Sequence, residues 1–469
     1  MRDTVISRWP LWALGLAFAV AGPTAAFGGD DPEQARTPVS PPYAGQVAAI
    51  LQKHCLECHR SGQVGPFPLM TYAQAHKRAA DIASVVSNRQ MPPWKAAPQA
   101  YPRFKFDRSL SATDIATVVA WAEAGAPEGD PSRVPTPPEF SEDWKVGTPD
   151  LVLEMPADFE VPAKGPDIYR CFVIPTSLDE NRYISAIEYR PGNRRVVHHM
   201  LGYVDTTGEG RKRDEADPGP GYMCFGGGAG IKPQGDLGGW APGNEPSVLP
   251  EGVGRPLPKG SDVVVQVHYH PRGKPEVDRS RIGIHFSKAP VKQTMYWGFV
   301  AKCDLTIPAN NPNVEVQTSW TIPVDVEMLS VLPHMHQIGR KMRIWATLPD
   351  GHDIGLVRVD DWDFNWQNTY DFAKPLTLPK GSIVKIAAHY DNTAANPRNP
   401  NSPPKTVQWG EATTDEMCVG VLSLTRKGQD LTRPGEKDDL RYVLDKKHED
   451  DRKQMERIRK ERAEKPATD

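Results

Sequence analysis

At 469 residues, the chain is longer than one hydrophobic core supports, so its length predicts about two to four domains. Its 39% hydrophobic and 25% charged residues are ordinary for a globular protein. The formal net charge of -3 excludes the basic excess that nucleic-acid binding needs. The 47 prolines favour extended loops and edge strands, and therefore a largely β body.

The N-terminus has the composition of an export signal over residues 1–26. Arg2 and Arg8 precede an apolar run over residues 11–20, and small residues close that run. A membrane anchor is the less favoured alternative, because a span needs roughly 20 apolar residues. We therefore expect cleavage after Ala26 and a secreted or periplasmic protein with no membrane span in the mature chain.

Helical periodicity characterises the first predicted domain, over residues 44–129. Its apolar stripes repeat every three or four residues and begin at Val47, Ile82 and Ile115. Thr113 and Asp114 are the predicted caps of the last helix, and Gly125 is its predicted end.

Within this domain, residues 55–59 read Cys-Leu-Glu-Cys-His, the spacing of covalent c-type haem attachment. Two thiols one helical turn apart add to the two vinyl groups, and the adjacent imidazole then faces the iron. A redox dithiol and half of a zinc site are the alternatives. The segment resembles class I cytochrome c domains, which implies one haem c (heme c) bound by Cys55, Cys58 and His59.

Met91 is the predicted sixth ligand of this haem. It lies in Met-Pro-Pro-Trp at residues 91–94, where prolines favour an extended loop across the haem face. A thioether ligand is soft and raises the reduction potential, which suits electron transfer. The alternatives are Met70, His54 and His76.

A proline-rich linker is predicted over residues 130–149 and precedes a long region of short alternating segments. The predicted strands include residues 151–153, 263–269, 328–332, 342–347 and 383–390. Such segments with regular turns are typical of β-sandwiches. We divide the region at Cys303 into two jelly-roll-like sandwich domains, over residues 150–303 and 304–426. The charged tail over residues 427–469 is predicted to be a solvated helix.

Six cysteines in an exported protein usually form disulfides. Because Cys55 and Cys58 belong to the haem motif, four remain, and their pairing is open among three possibilities. These four are Cys171, Cys224, Cys303 and Cys418.

Histidines in the β region are clustered with the spacing of metal ligands. These clusters are His198-His199, Gln266-x-His268-x-His270 and His334-x-His336, and Met417 follows them in the chain. Alternation along a strand places the members of each x-spaced set on one face. Imidazole suits zinc, copper, iron or nickel, and an added thioether favours cuprous copper.

In order and spacing these residues resemble the ascorbate-dependent type II copper monooxygenases, which include peptidylglycine alpha-hydroxylating and dopamine beta-monooxygenases. The resemblance covers about residues 150–424 and implies two sandwiches that face each other across a solvent cleft, each with one copper. It implies that the electron-storing copper is bound by His198, His199 and His268. It implies that the catalytic copper, where O2 is activated and a C–H bond is hydroxylated, is bound by His334, His336 and Met417.

The substrate-binding residues of the peptide-amidating member are absent. That enzyme holds the substrate carboxylate with an Arg and also uses an Asn and a Tyr. In those places this chain has Leu332, Val419 and Val421. A buried carboxylate without a cation is costly, so peptidyl-glycine is not the expected substrate. The resemblance also places His389 near a disulfide cysteine of that enzyme, so Cys418 is expected to lack that partner.

Together these features predict an exported haem–copper monooxygenase that acts on a small-molecule substrate with O2. The haem is expected to relay electrons from an external donor, either ascorbate or a redox protein, to the copper ions. The alternative is a periplasmic electron-transfer or copper-binding protein without hydroxylase activity. A weaker alternative is a sensor or structural module at the cell surface.

Overall fold

The structure is a computed structural model and describes residues 40–98, 103–140, 144–224, 227–232, 234–410 and 412–464. The predicted export signal, residues 1–26, lies outside these described residues. Among the helices of the described part, none is both long enough and apolar enough to cross a bilayer.

The helices occupy both ends of the described chain and one insertion in the β region. They are α1 (Ala48–His54), α2 (Tyr72–His76), α3 (Ala79–Ser87), α4 (Ala112–Glu123), α5 (Glu209–Ala216) and α6 (Asp439–Glu464). Single π or 3-10 turns lie at Tyr43–Val47, Pro131–Arg133 and Gly227–Gly230. Helices α1 to α4 enclose a core of their own, to which Leu51, Val86 and Trp121 belong.

The start of α4 differs from the predicted one. Ser111 is the N-cap, and its hydroxyl accepts a hydrogen bond from the backbone N–H of Asp114. The Asp114 carboxylate accepts one from the backbone N–H of Ser111, which completes a capping box. Thr113 is therefore inside the helix, while Gly125 follows its C-cap with a φ of 83°, as a helix end requires.

Strands make up most of the remaining chain. They are β1 (Leu151–Glu154), β2 (Phe159–Val161), β3 (Ile168–Pro175), β4 (Arg182–Arg190), β5 (Val197–Asp205), β6 (Tyr222–Met223), β7 (Gly235–Trp240), β8 (Ser247–Val248), β9 (Val253–Leu257), β10 (Asp262–Tyr269), β11 (Glu276–Asp278), β12 (Arg281–Phe286), β13 (Gln293–Ala301), β14 (Thr306–Ile307), β15 (Val314–Thr321), β16 (Val326–His334), β17 (Gly339–Thr347), β18 (Asp353–Val359), β19 (Tyr370–Leu378), β20 (Ile383–Tyr390), β21 (Val407–Gln408) and β22 (Val419–Arg426).

One nine-stranded sheet runs through two sandwiches in the order β1-β12-β4-β9-β13-β22-β16-β19, with β8 paired to β4. Its first half shares a core with the five-stranded sheet β6-β3-β10-β5-β7. Its second half shares a core with the four-stranded sheet β15-β20-β17-β18. The predicted β-sandwich architecture is therefore confirmed.

The boundary between the sandwiches lies before the predicted one at Cys303. Strand β13 pairs antiparallel with β22 over Met295–Ala301, so it belongs to the second sandwich. At its start it also pairs in parallel with β9, and this short pairing joins the two halves of the large sheet. Alternation can identify a strand, but it does not identify the neighbour with which the strand pairs.

The predicted linker is bound to both of its neighbours. The side chain of Gln52 donates to the carbonyl of Pro135 at 2.7 Å. The backbone N–H of Lys145 donates to the carboxylate of Glu188 at 2.7 Å. Beside it, the guanidinium of Arg190 lies 4.9 Å from the ring centre of Trp144. These contacts fix the linker between the helical part and the first sandwich.

The chain between α3 and α4 contacts the second sandwich. The ring centre of Trp94 lies 5.1 Å from that of Tyr370, and Phe104 stacks on Phe372 at 5.5 Å. The backbone of Phe104 forms an isolated β-bridge with Phe372. The helical part is thus held against both sandwiches.

The prediction of a solvated C-terminal helix is wrong for one face of α6. Leu440 and Leu444 are only 1% and 2% exposed and belong to the core of the second sandwich. A Cβ atom on Gly298 would lie 3.3 Å from Leu444, so glycine on β13 permits the close approach of the helix. The buried face repeats every three or four residues within a highly charged sequence.

Candidate metal centres

Three histidines converge at the ends of β5 and β10; we call His198, His199 and His268 the first cluster. The Nδ1 atom of His199 lies 3.3 Å from the Nδ1 atoms of both His198 and His268. Each residue offers one ligand atom, and these atoms all lie within 4.8 Å of one another. The structure therefore brings together the three residues that the sequence analysis assigned to one copper ion.

A β-bulge explains how two consecutive histidines reach one site. In the pairing of β5 with β10, His199 lies opposite His268, but the next pair joins Val197 to Tyr269. His198 is thus the extra residue of a bulge, which interrupts the alternation of side-chain direction.

Burial keeps the imidazoles of His198 and His199 uncharged. Loss of solvent and the neighbouring imidazole of His268 lower the pKa of His198 to about 4. The same causes hold the pKa of His199 well below its usual value. A neutral imidazole has a free lone pair, so these two side chains are ready to bind a metal near neutral pH.

Asp167, which the sequence analysis did not single out, orients the first cluster. Its carboxylate lies 2.7 Å from Nε2 of His268, so Nε2–H donates and the Nδ1 lone pair stays available. The other carboxylate oxygen lies 2.7 Å from Nδ1 of His270, just beyond the end of β10. Partial burial raises the pKa of Asp167, but the hydrogen bonds from His268 and His270 outweigh it and lower the pKa to about 2.

His334, His336 and Met417 form what we call the second cluster. The two imidazole ring centres are 5.2 Å apart. Nδ1 of His334 lies 2.6 Å from Oε1 of Gln367, and Nδ1 of His336 lies 3.2 Å from the carbonyl of Asp415. Each Nδ1–H can therefore donate, which leaves Nε2 for a metal. Burial lowers the pKa of His334 to about 3 and that of His336 to about 4.

Glu416 fixes the backbone that carries two members of the second cluster. Its carboxyl oxygens accept hydrogen bonds from the backbone N–H groups of His336, Ile338 and Met417. The side chain is fully buried, and this burial raises the pKa of Glu416 to about 8 despite those hydrogen bonds. Replacing the carboxyl would leave three backbone donors of this segment without their partner.

Residues of both clusters line one cavity of about 490 Å³, which we call the cleft: His198 and His199 of the first cluster and all three residues of the second. Much of its wall is aromatic or aliphatic, and none of the described residues that line it is lysine or arginine. The wall includes Leu332, Val419 and Val421, the three residues that stand where the peptide-amidating enzyme has its substrate-binding Arg, Asn and Tyr. The cleft therefore offers an apolar ligand a site beside both candidate metal centres.

The haem-motif residues lie in the turn that follows α1. Cys55 and Cys58 do not form a disulfide with each other or with another cysteine of the described chain. Nδ1 of His59 lies 3.0 Å from the carbonyl of Phe67, so Nδ1–H can donate and Nε2 is left as the ligand atom. Burial lowers the pKa of His59, which favours the neutral imidazole.

Met91 lines a cavity of about 230 Å³ with Leu110 and Ile115, whereas Cys58 lines a different cavity. Its role as the sixth ligand stays a prediction. The side chains of the alternatives have other neighbours: Met70 packs on the helical core, His54 contacts the carbonyl of Arg108, and His76 lies near the ring of Tyr72.

The structure also decides the disulfide pairing. Cys171 on β3 is bonded to Cys224, which follows β6. Cys303 and Cys418 are buried and free. The expected absence of a partner for Cys418 at His389 agrees with this arrangement.

Residues 293–424 match the family described as copper type II ascorbate-dependent monooxygenase, C-terminal domain. The matched segment runs from the start of β13 into β22 and contains the whole second cluster. The first cluster and the haem motif lie outside it.

Among solved structures, one of Broad Bean Stain Virus is 9% identical and covers 59% of this chain and 95% of that chain, with a TM-score of 0.25. The major capsid protein P2 of bacteriophage PM2 is 8% identical and covers 59% of this chain and 98% of that chain, with a TM-score of 0.24. Similarities this low carry no argument about the chain.

The family match supports a copper monooxygenase, with copper as the expected metal and a small molecule and O2 as the partners that the family implies. Residues 293–424 are thus similar to the C-terminal domain of the copper type II ascorbate-dependent monooxygenases.

Proposed function

We propose that this chain is an exported haem–copper monooxygenase that hydroxylates a C–H bond of a small organic substrate with O2. The observation that carries the proposal is the cleft, whose lining includes His198 and His199 of the first cluster and all three residues of the second cluster. Two separate ligand sets around one apolar cavity suit a reaction that needs two electrons and a bound substrate.

The donor atoms fit copper. The first cluster offers three imidazoles, and the second offers two imidazoles with one thioether, a soft ligand that favours the cuprous state. Copper bound at these clusters would supply the one-electron redox chemistry that O2 activation needs.

The remaining residues of the site position ligands and substrate. Asp167 and Gln367 orient His268 and His334 by hydrogen bonds to the nitrogen opposite the ligand atom. Glu416 holds the backbone of the second cluster. The apolar wall excludes bulk water and favours an uncharged substrate, because no lysine or arginine is among the described lining residues.

Covalent haem fits the residues of the motif at 55–59. Two free thiols and an imidazole whose Nδ1–H can donate to a carbonyl are the donor set that haem c requires. Haem bound there would supply single electrons from an external donor, ascorbate or a redox protein.

Trp240 supports a connection between the haem motif and the first cluster. Its side chain is 7% exposed and lines both the cavity at Cys58 and the cleft. On β7 it pairs with Met200 of β5, the residue that follows His199.

The test is metal analysis of the purified full chain together with its visible spectrum and substrate-dependent O2 uptake. We expect two copper ions and one haem that stays with the denatured chain after acid extraction. His199→Ala should lose one copper, while Met417→Ala should weaken mainly cuprous binding at the second cluster. One copper per wild-type chain, or zinc at full occupancy after growth with copper, would contradict the proposal. Bound copper without O2 uptake would favour an electron-transfer or copper-binding protein.

A further inference from the structure

Helix α6 reaches from the core of the second sandwich into the wall of the cleft. On the face that begins with Leu440 and Leu444, the next residues inward are His448, Asp451 and Met455, and all three line the cleft. The imidazole of His448 packs on Phe299 of β13, with ring centres 5.2 Å apart. These three residues of α6 lie outside the segment that matches the copper monooxygenase domain.

The start of α6 is anchored to β13. The carboxylate of Asp438, just before the helix, accepts hydrogen bonds from the hydroxyls of Thr294 and Tyr296, each at 2.6 Å. With Leu440 and Leu444 buried in the core, this anchor fixes the position of the helix face at the cleft.

His448 has an unsatisfied buried nitrogen. Its Nε2 atom is buried and has no hydrogen-bond partner among the described residues. Burial lowers the pKa of His448, so the imidazole is neutral near pH 7 and offers a hydrogen bond rather than a charge. An unpaired buried nitrogen is unfavourable, and a ligand with a hydroxyl or N–H group in the cleft could satisfy it.

The charges at this wall do not favour an ionic ligand. Asp451 is the acidic side chain of α6 in the cleft, and it forms an ion pair with Lys447. A carboxylate ligand would meet this acidic group, and the described residues that line the cleft include no lysine or arginine to pair with it. An ammonium ligand would have to compete with Lys447 for Asp451.

We propose that α6 forms one wall of the substrate site and that His448 binds the uncharged polar group, such as a hydroxyl, of an otherwise apolar substrate. This inference rests on the proposed function, because it takes the cleft as the substrate site.

The test compares two probes of nearly equal shape, para-ethylphenol and ethylbenzene, by calorimetric titration of the copper-loaded, oxidised full chain. We expect the wild-type protein to bind the phenol about fivefold more tightly, the effect of one neutral hydrogen bond. His448→Ala should remove this difference, and His448→Gln, which can still form a hydrogen bond, should keep part of it. Asp450→Asn, exposed on the same helix, should leave it unchanged.

Equal affinities of the wild-type protein for the two probes would overturn the assignment, as would a difference that survives in His448→Ala. Thermal unfolding and copper content of each variant show whether it is folded and loaded. The titration needs neither O2 nor an electron donor. A chain that distinguishes the probes but takes up no O2 would therefore refute the proposed function and leave the assignment of His448 intact.

Discussion

The Asp167 carboxylate determines which nitrogen of His268 can bind a metal, because Nε2–H donates to it. We expect Asp167→Asn to lower copper affinity at the first cluster by about 10- to 100-fold, the usual effect of losing such a hydrogen-bond partner. The measurement is competition for cuprous copper with a chromogenic chelator. His270→Ala is the matched control, because it removes the second partner of Asp167 and leaves the bond to His268. An unchanged affinity in Asp167→Asn would show that His268 is oriented by other contacts.

His198 departs from the alternation of side-chain direction that is regular along a β-strand. In a regular strand, consecutive side chains point to opposite faces, so His198 and His199 would diverge. The bulge opposite Tyr269 removes this conflict. A local irregularity of the backbone thus completes the first cluster.

At the scale of elements, α6 is stabilised by its apolar face rather than by its many charges. We expect Leu444→Ala to lower the free energy of unfolding by about 2–5 kcal/mol, because it leaves a cavity in the core of the second sandwich. Tyr442→Ala is the matched control on the same helix, where the side chain is 72% exposed and the expected change is within about 0.5 kcal/mol. Urea denaturation of the three proteins measures both values. Equally small effects of the two substitutions would show that α6 is not docked in solution.

At the scale of the whole molecule, the linker and Trp240 place the haem motif beside the first sandwich. In rapid mixing with O2, pre-reduced haem should be reoxidised only when the first cluster holds copper, so His199→Ala should keep it reduced. Met417→Ala should allow partial oxidation without product. Trp240→Ala should slow reoxidation, because the aromatic ring that lines both cavities is lost.

Trp240→Phe retains a ring and should preserve most of the reoxidation rate. Trp345→Ala serves as the control for loss of a tryptophan elsewhere, because Trp345 lies on β17 in the four-stranded sheet of the second sandwich. Equal rates with and without copper would show that the haem and copper centres are not connected. Equal reoxidation rates in Trp240→Ala and the wild-type protein would show that Trp240 is not needed for electron transfer from the haem, and would leave the connection between the haem and copper centres untouched.

Features that depend on neighbours in the chain were predictable from the sequence. Short spacings identify candidate ligands, as for Cys55, Cys58 and His59 and for the paired histidines. Residues that lie within one turn or one strand have a fixed local geometry, so their spacing shows whether they can bind the same group. Alternation likewise identified the cores of five strands, β1, β10, β16, β17 and β20, and hence the sandwich architecture, since the period of side-chain direction is a local property. The export signal, the covalent haem and Met91 as its ligand remain predictions.

Features that depend on distant contacts were decided only by the tertiary structure. Asp167 is 101 residues from His268 in sequence, and Gln367 is 33 residues from His334, so no local pattern links them. The pairing of β13 with β22, the choice of Cys224 as the partner of Cys171, and the docking of α6 at the cleft have the same origin. Each brings together groups far apart in the chain, and burial against a specific neighbour, rather than residue type, selects the partner.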